Sequence, residues 1–190
     1  MELLAYENRS FEKIDYTEKA ATGREFQDCT FTQCNFSGSN FSHSKFIDCT
    51  FLNCNLSLVK FDQTALSNVC FKDCKILGVN FYDCSTFLFS VSFDGCMLDF
   101  ASFAGRKMPK TNFTKCSLKE TSFMQATLTG SKFDQCDLSG TVFNRTDLSS
   151  CNLVTAYNYQ IDPEINKLSK ATFAQNGLAG LLVKYGIKIV

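Results

Sequence analysis

A five-residue period governs most of this chain. Steps of five from Phe26 fall on Phe31, Phe36, Phe41, Phe46, Phe51, Leu56, Phe61, Leu66, Phe71, Ile76 and Phe81. A second series runs from Leu88 through Phe93, Leu98, Phe103, Met108 and Phe113 to Leu153. Together these are 26 apolar centres without a miss, although Phe, Leu, Ile and Met make up only 49 of the 190 residues. A second column lies two residues before each centre and is mostly small: Cys29, Cys34, Ser39 and Ser44 early on, Cys116, Thr121, Ala126 and Ser131 later. The remaining positions are mostly polar.

This period suits neither regular element. On a helix, five residues advance about 140° beyond a full turn, which scatters the centres around the cylinder. On a straight strand an odd spacing sends successive centres to opposite faces. Residues two apart do share a strand face, so each small residue and its centre point the same way. The chain must then turn every five residues, and four such corners close a square coil of 20. The cysteines obey that number: Cys34, Cys54, Cys74, Cys96, Cys116 and Cys136 are separated by 20, 20, 22, 20 and 20 residues. The single 22 coincides with a seven-residue gap between Phe81 and Leu88, which predicts a two-residue insertion near 82–87.

Composition narrows the function. Lys plus Arg equals Asp plus Glu at 19 each, which excludes a polybasic nucleic-acid or membrane-surface binder. One histidine excludes a multi-histidine metal or catalytic site, and His43 falls at an outward corner. No apolar run approaches a membrane span, and the first residues lack a secretory leader's pattern, so a cytoplasmic protein is expected. Ten of the 11 cysteines lie in the small column, where packing explains them without disulfides or zinc; only Cys70 lies outside it. No nucleophile elbow, phosphate-cradling loop or paired-carboxylate pattern appears, and neither an enzyme nor a cofactor is expected.

The alternating pentapeptides, such as Asp28-Cys29-Thr30-Phe31 and Gln135-Cys136-Asp137-Leu138, resemble the pentapeptide-repeat family over roughly residues 26–156. The resemblance implies an all-β fold, a right-handed quadrilateral β-helix with a short C-terminal helical cap. Three segments are expected: an irregular N-terminal coil and cap over 1–25, where Lys19 and Arg24 occupy interior positions, the β-helix over 26–156, and a cap over 157–190. In the cap, Asp162 and Pro163 open a short helix, a second helix spans 169–185, Gly186 stops it, and 187–190 form a strand.

The layout is similar to the quinolone-resistance (Qnr) class and to the microcin and albicidin immunity proteins. That implies a DNA mimic that occupies DNA gyrase or topoisomerase IV and shields it from quinolones or a peptide toxin. It also implies a homodimer through Leu178, Leu181, Leu182, Tyr185, Ile187 and Ile189. The competing reading is a general protein-interaction scaffold. Six apolar residues at outward positions, Leu58, Leu77, Phe87, Phe89, Met97 and Phe100, form its candidate partner patch. Arg106 occupies an interior slot, so a distorted coil is expected there, with Lys110, Lys115 and Lys119 forming a basic run.

Overall fold

The computed structural model describes residues 5–188. The chain winds as a right-handed square coil with four faces, and parallel pairing joins each coil to the next. The first face is a nine-stranded sheet. Its strands are β2 (Ser10–Glu12), β4 (Thr30–Thr32), β6 (Thr50–Leu52), β8 (Val69–Lys72), β9 (Val91–Asp94), β10 (Asn112–Thr114), β11 (Lys132–Asp134), β12 (Asn152–Leu153) and β13 (Thr172–Phe173). The fourth face holds a four-stranded sheet of β1 (Ala5–Glu7), β3 (Glu25–Gln27), β5 (Lys45–Ile47) and β7 (Ala65–Ser67). The second and third faces are joined by single bridges such as Asn35 to Asn55 and Ser102 to Ser122. Register advances by 20 residues, as Phe31 to Phe51 and Phe113 to Phe133 show, except at Phe71 to Phe93.

The five-residue turn has a backbone signature. The residue two after a buried centre is left-handed except at Asp83 and Thr155: Asp28, Gln33, Gly38 and His43, for example, have φ of 51°, 55°, 66° and 61°. Asn, Asp and Gly tolerate this region best, which accounts for their frequency at corners. Asx-type bonds tighten several corners: Ser37 N–H donates to Asn35 Oδ1 at 3.2 Å and Ser149 N–H to Asp147 Oδ1 at 3.0 Å.

Twenty-five of the 26 expected centres are buried, and so is the small column. Phe rings stack along the rod axis: Phe93–Phe113 and Phe113–Phe133 centroids are 5.3 and 5.0 Å apart, with planes within 8°. Rings on the third face meet them edge-on, as Phe113 and Phe123 do at 5.7 Å. Each buried ring contributes a few kcal/mol, about 25 cal/mol per Å² of area removed from water, before entropy is counted. The small column also carries polar order. Its thiols and hydroxyls donate to a carbonyl 23 residues earlier, Cys49 to Phe26 O at 3.3 Å and Thr121 to Leu98 O at 2.8 Å. Burial pushes the Cys49 thiol up to about 12 and Cys151 up to about 11, so both donate as neutral thiols.

Several expectations are corrected. Leu88 is not a centre. It lies 63% exposed, and the Phe89 ring takes its place, half-buried and 6.4 Å from Phe81. Ser90 N–H bonds to Leu66 O, which seats Phe89 on the fourth face and leaves Thr86, Phe87 and Leu88 as an outward loop. Residues 5–25 are in register, because β1 pairs with β3 and β2 with β4. Lys19 escapes its interior slot because its coil is the outermost, and its Nζ reaches Asp15 O at 3.3 Å. Arg24 bonds to Tyr6 Oη at 2.9 Å. Tyr6, Phe11 and Tyr16 border an apolar hollow of about 210 Å³ at this end of the rod.

At the other end the repeat runs on to Phe173, one coil beyond the expected boundary. No helix opens at Pro163: Asp162 Oδ1 accepts the Glu164 N–H at 2.8 Å in a turn, and Lys167 bridges to Asp147. The helix expected over 169–185 is two 3-10 helices, Gln175–Leu181 and Val183–Tyr185. Gly186 ends the second at φ 61°, and Ile187 and Lys188 form no strand, while Ile189 and Val190 lie outside the described residues.

Candidate partner-binding surface

In the middle of the rod the exposed apolar residues gather on the second and third faces and their corners. The corner between the second and third faces stacks Leu58, Gly78, Phe100 and Glu120 in successive coils. Leu58 and Phe100 are 67% and 61% exposed at left-handed φ of 57° and 63°. A large apolar side chain there is strained by about 1–3 kcal/mol, and neither residue regains that by burial. Gly78 lets Leu58 lie flat, since a Cβ at Gly78 would stand 2.9 Å from Leu58 Cδ2. Met97 is exposed on the adjoining second face, bridged to Lys75 and Ser117, and Leu77 is half-buried.

The third face continues this surface. Tyr82, Met124 and Val142 are exposed there and were not among the sequence candidates. Each stands alone in a polar pentapeptide, so only the 20-residue stacking brings them beside the Phe100 corner. Beyond the third face stands the loop, with Phe87 71% exposed. Of the six candidates, Leu58 and Phe100 thus hold the corner, Leu77 and Met97 the second face beside it, and Phe87 the far edge of the third face. Phe89 does not join them, because the shortened corner after the loop turns its ring inward.

Arg106 is 4% exposed and sits in a regular coil, so the distortion lies one coil earlier, in the loop. Its guanidinium stacks 4.2 Å from the Phe89 ring centroid and bonds to the Cys84 and Ser85 carbonyls. It therefore does not join Lys110, Lys115 and Lys119 in a surface basic run.

The C-terminal candidates divide. Leu181 packs against the core and Leu182 is half-buried. Leu178, Tyr185 and Ile187 are exposed, and Ile189 lies outside the described residues. Gly177 and Gly180 let the first 3-10 helix press against Tyr159; a Cβ at Gly180 would stand only 2.8 Å from the ring. Lys184 fastens the cap by pairing with Asp162 at 2.7 Å and Glu164 at 2.6 Å, and Tyr185 Oη donates to Glu164 at 2.8 Å. The Lys184 bonds hold both carboxyls below their ordinary range.

The model of the pentapeptide repeat region matches residues 24–103, and that of pentapeptide repeats (8 copies) matches 96–133 and 121–156. The chain belongs to the pentapeptide-repeat family. No curated protein matches it. Among solved structures, this pentapeptide-repeat protein is similar to two trypsin-treated variants of QnrB1, a plasmid-mediated fluoroquinolone resistance protein. The first superposes with a TM-score of 0.59 at 19% identity, over 98% of this chain and 99% of the other. The second gives 0.55 at 20%, over 98% of each. At these identities the likeness establishes the fold. Among the described residues no helix is long and apolar enough to cross a membrane.

Proposed function

We propose that this pentapeptide-repeat protein is a non-enzymatic, cytoplasmic, protein-binding rod that engages DNA gyrase or topoisomerase IV and shields it from a quinolone or a peptide toxin. The observation that carries the reading is the match to a fluoroquinolone resistance protein over 98% of this chain and 99% of the other. In this reading the rod takes the place of duplex DNA on the enzyme. Its charge differs from a duplex: residues 1–156 carry 17 acidic and 15 basic side chains, where DNA carries one charge per ~1.7 Å. Shape and the apolar side of the rod, rather than an acidic envelope, then supply the affinity. A homodimer through the exposed cap residues Leu178, Tyr185 and Ile187 doubles the length of rod offered to a two-fold enzyme.

A gyrase supercoiling assay with ciprofloxacin, run with and without the protein, tests this. Restored supercoiling at micromolar protein is expected, and no protection there overturns the topoisomerase reading. A second reading, a scaffold for an unrelated partner, is favoured by the near-zero charge and the strained Leu58–Phe100 corner. Phe100→Gly relieves the left-handed strain, so it should leave stability equal or raise it by about 0.5–1 kcal/mol while weakening partner capture. Capture unchanged in both Phe100→Gly and Phe100→Asp removes this corner from the interface.

A further inference from the structure

The mid-rod insertion in the five-residue rule and the one deeply buried guanidinium among the described residues lie against each other. Where the fourth-face slot holds serine, threonine or asparagine the rule is simple: the side chain donates to the carbonyl of the third-face position one coil back, as Ser44 does to Ala21 O at 3.0 Å. Thr64 bonds Phe41 O at 2.7 Å, Thr146 bonds Phe123 O at 2.8 Å, and Asn166 Nδ2 bonds Phe143 O at 3.0 Å. Arg106 holds this slot but reaches past Phe81. Nη1 donates to Cys84 O at 2.9 Å and, at the long distance of 3.5 Å, to Tyr82 O. Nη2 donates to Ser85 O at 2.6 Å, and the face of the guanidinium covers Phe89.

Cys84 and Ser85 form one stem of the Thr86–Leu88 loop, and Phe89 is the other. Arg106 therefore grips both stems at once. Only a planar, delocalised cation meets this geometry, with in-plane donors for one stem and a flat face for the ring of the other. A threonine is too short for the displaced carbonyls, and a lysine offers no flat face. Carbonyl dipoles and the ring replace part of the water a buried charge has lost, and Nε is buried without a partner.

We propose that Arg106 is a positioning residue for partner recognition: it clamps the loop so that Phe87 and Leu88 stand out as a preformed apolar pair. This rests on the partner-binding reading above and adds the residue through which the loop acts. A loop held in its bound shape loses less entropy on docking, and the gain falls mainly on the dissociation rate.

The test uses the full chain, chymotrypsin as a probe of the loop, and a register-restoring deletion. Removing Thr86 and Phe87 returns the coil to 20 residues with Leu88 as its centre. Arg106→Lys and Phe89→Leu should each raise the rate of cleavage after Phe87 at least tenfold, with cutting elsewhere unchanged. Arg106→Thr should lower the urea midpoint in the full chain but leave it unmoved or raise it in the deletion background. In the supercoiling assay, Arg106→Lys should require at least tenfold more protein for half-maximal protection. Unaltered loop cleavage in both single variants overturns the clamp. An equal midpoint loss for Arg106→Thr in both backgrounds reduces Arg106 to packing, and undiminished protection with a released loop overturns its role in recognition. Failure of the wild type to protect gyrase sinks the topoisomerase reading alone, since the cleavage and midpoint arms still decide the clamp.

Discussion

The two halves of the rod solve the same packing problem differently. After the loop, Phe alternates with Leu or Met, so two aromatic columns face each other between two aliphatic ones. Their rings stack nearly parallel: Phe81–Phe103 and Phe103–Phe123 centroids are 4.6 and 5.2 Å apart, with planes within 7°. Before the loop, the coil of Phe26, Phe31, Phe36 and Phe41 places a ring on every face. Four rings crowd one interior, and the third-face stack loosens to 6.3 Å and 26° between Phe41 and Phe61. In exchange the earlier half gains a second sheet on its fourth face, which ends at β7 where the loop begins. The loosening is confined to the third face: it persists between Phe61 and Phe81 at 6.0 Å and 30°, while Phe26–Phe46 and Phe31–Phe51 stack at 4.8 and 4.6 Å with planes within 11°.

The strongest way to break this comparison is to empty a ring site in the later half. Phe113→Ala or Phe123→Ala, buried in mid-stack, should cost about 3–5 kcal/mol, read as a lowered urea midpoint. An unchanged midpoint in both would mean that the ring columns do not hold the coils together. A smaller effect sharpens it. Phe36→Leu extends the aliphatic second-face column of Leu56 and Ile76 and relieves the crowded coil, so its cost should stay below about 1.5 kcal/mol. A loss equal to that of Phe113→Ala would show that the early coil is as tightly specified as the late one.

The smallest effect should appear at the cap, which is fastened by charges where both halves are fastened by rings. Asp162 and Glu164 have lowered folded-state pKa values because Lys184 bonds to them. Their contribution is therefore present above the ordinary carboxylate range, about pH 4–4.5, and is lost as pH falls through the depressed values. Amide protection across 175–185, measured against the intrinsic exchange rate at each pH, should fall as pH drops below the ordinary carboxylate range while the centre of the rod stays protected. Simultaneous loss of protection in both would show that the cap does not open separately.

The rod itself could be read almost entirely from residue order. A five-residue period with two inward columns admits one closure, so the girth, the register and the buried thiols followed from spacing alone. Even the loop was located to within a few residues by two columns slipping together. Its inside and outside were not. Leu88 keeps the period and Phe89 does not, yet Phe89 goes in, because the corner after it is shortened and Arg106 covers its ring. The end of the repeat was misplaced for a related reason. Asn158, Asp162 and Pro163 look like terminators locally, but the preceding coil still offers a free edge, and the chain follows it to Phe173.

Spacing along the chain thus determined the coil, because each inward residue repeats a local rule. Tertiary structure decided everything that depends on neighbours 20 residues away. Only stacking reveals that Tyr82, Met124 and Phe100 share one side of the rod, that Gly78 makes room for Leu58, and that a charge in an interior slot meets carbonyls turned toward it. The physical reason is that a side chain's surroundings in a solenoid come from the coils above and below, which no window of five residues contains.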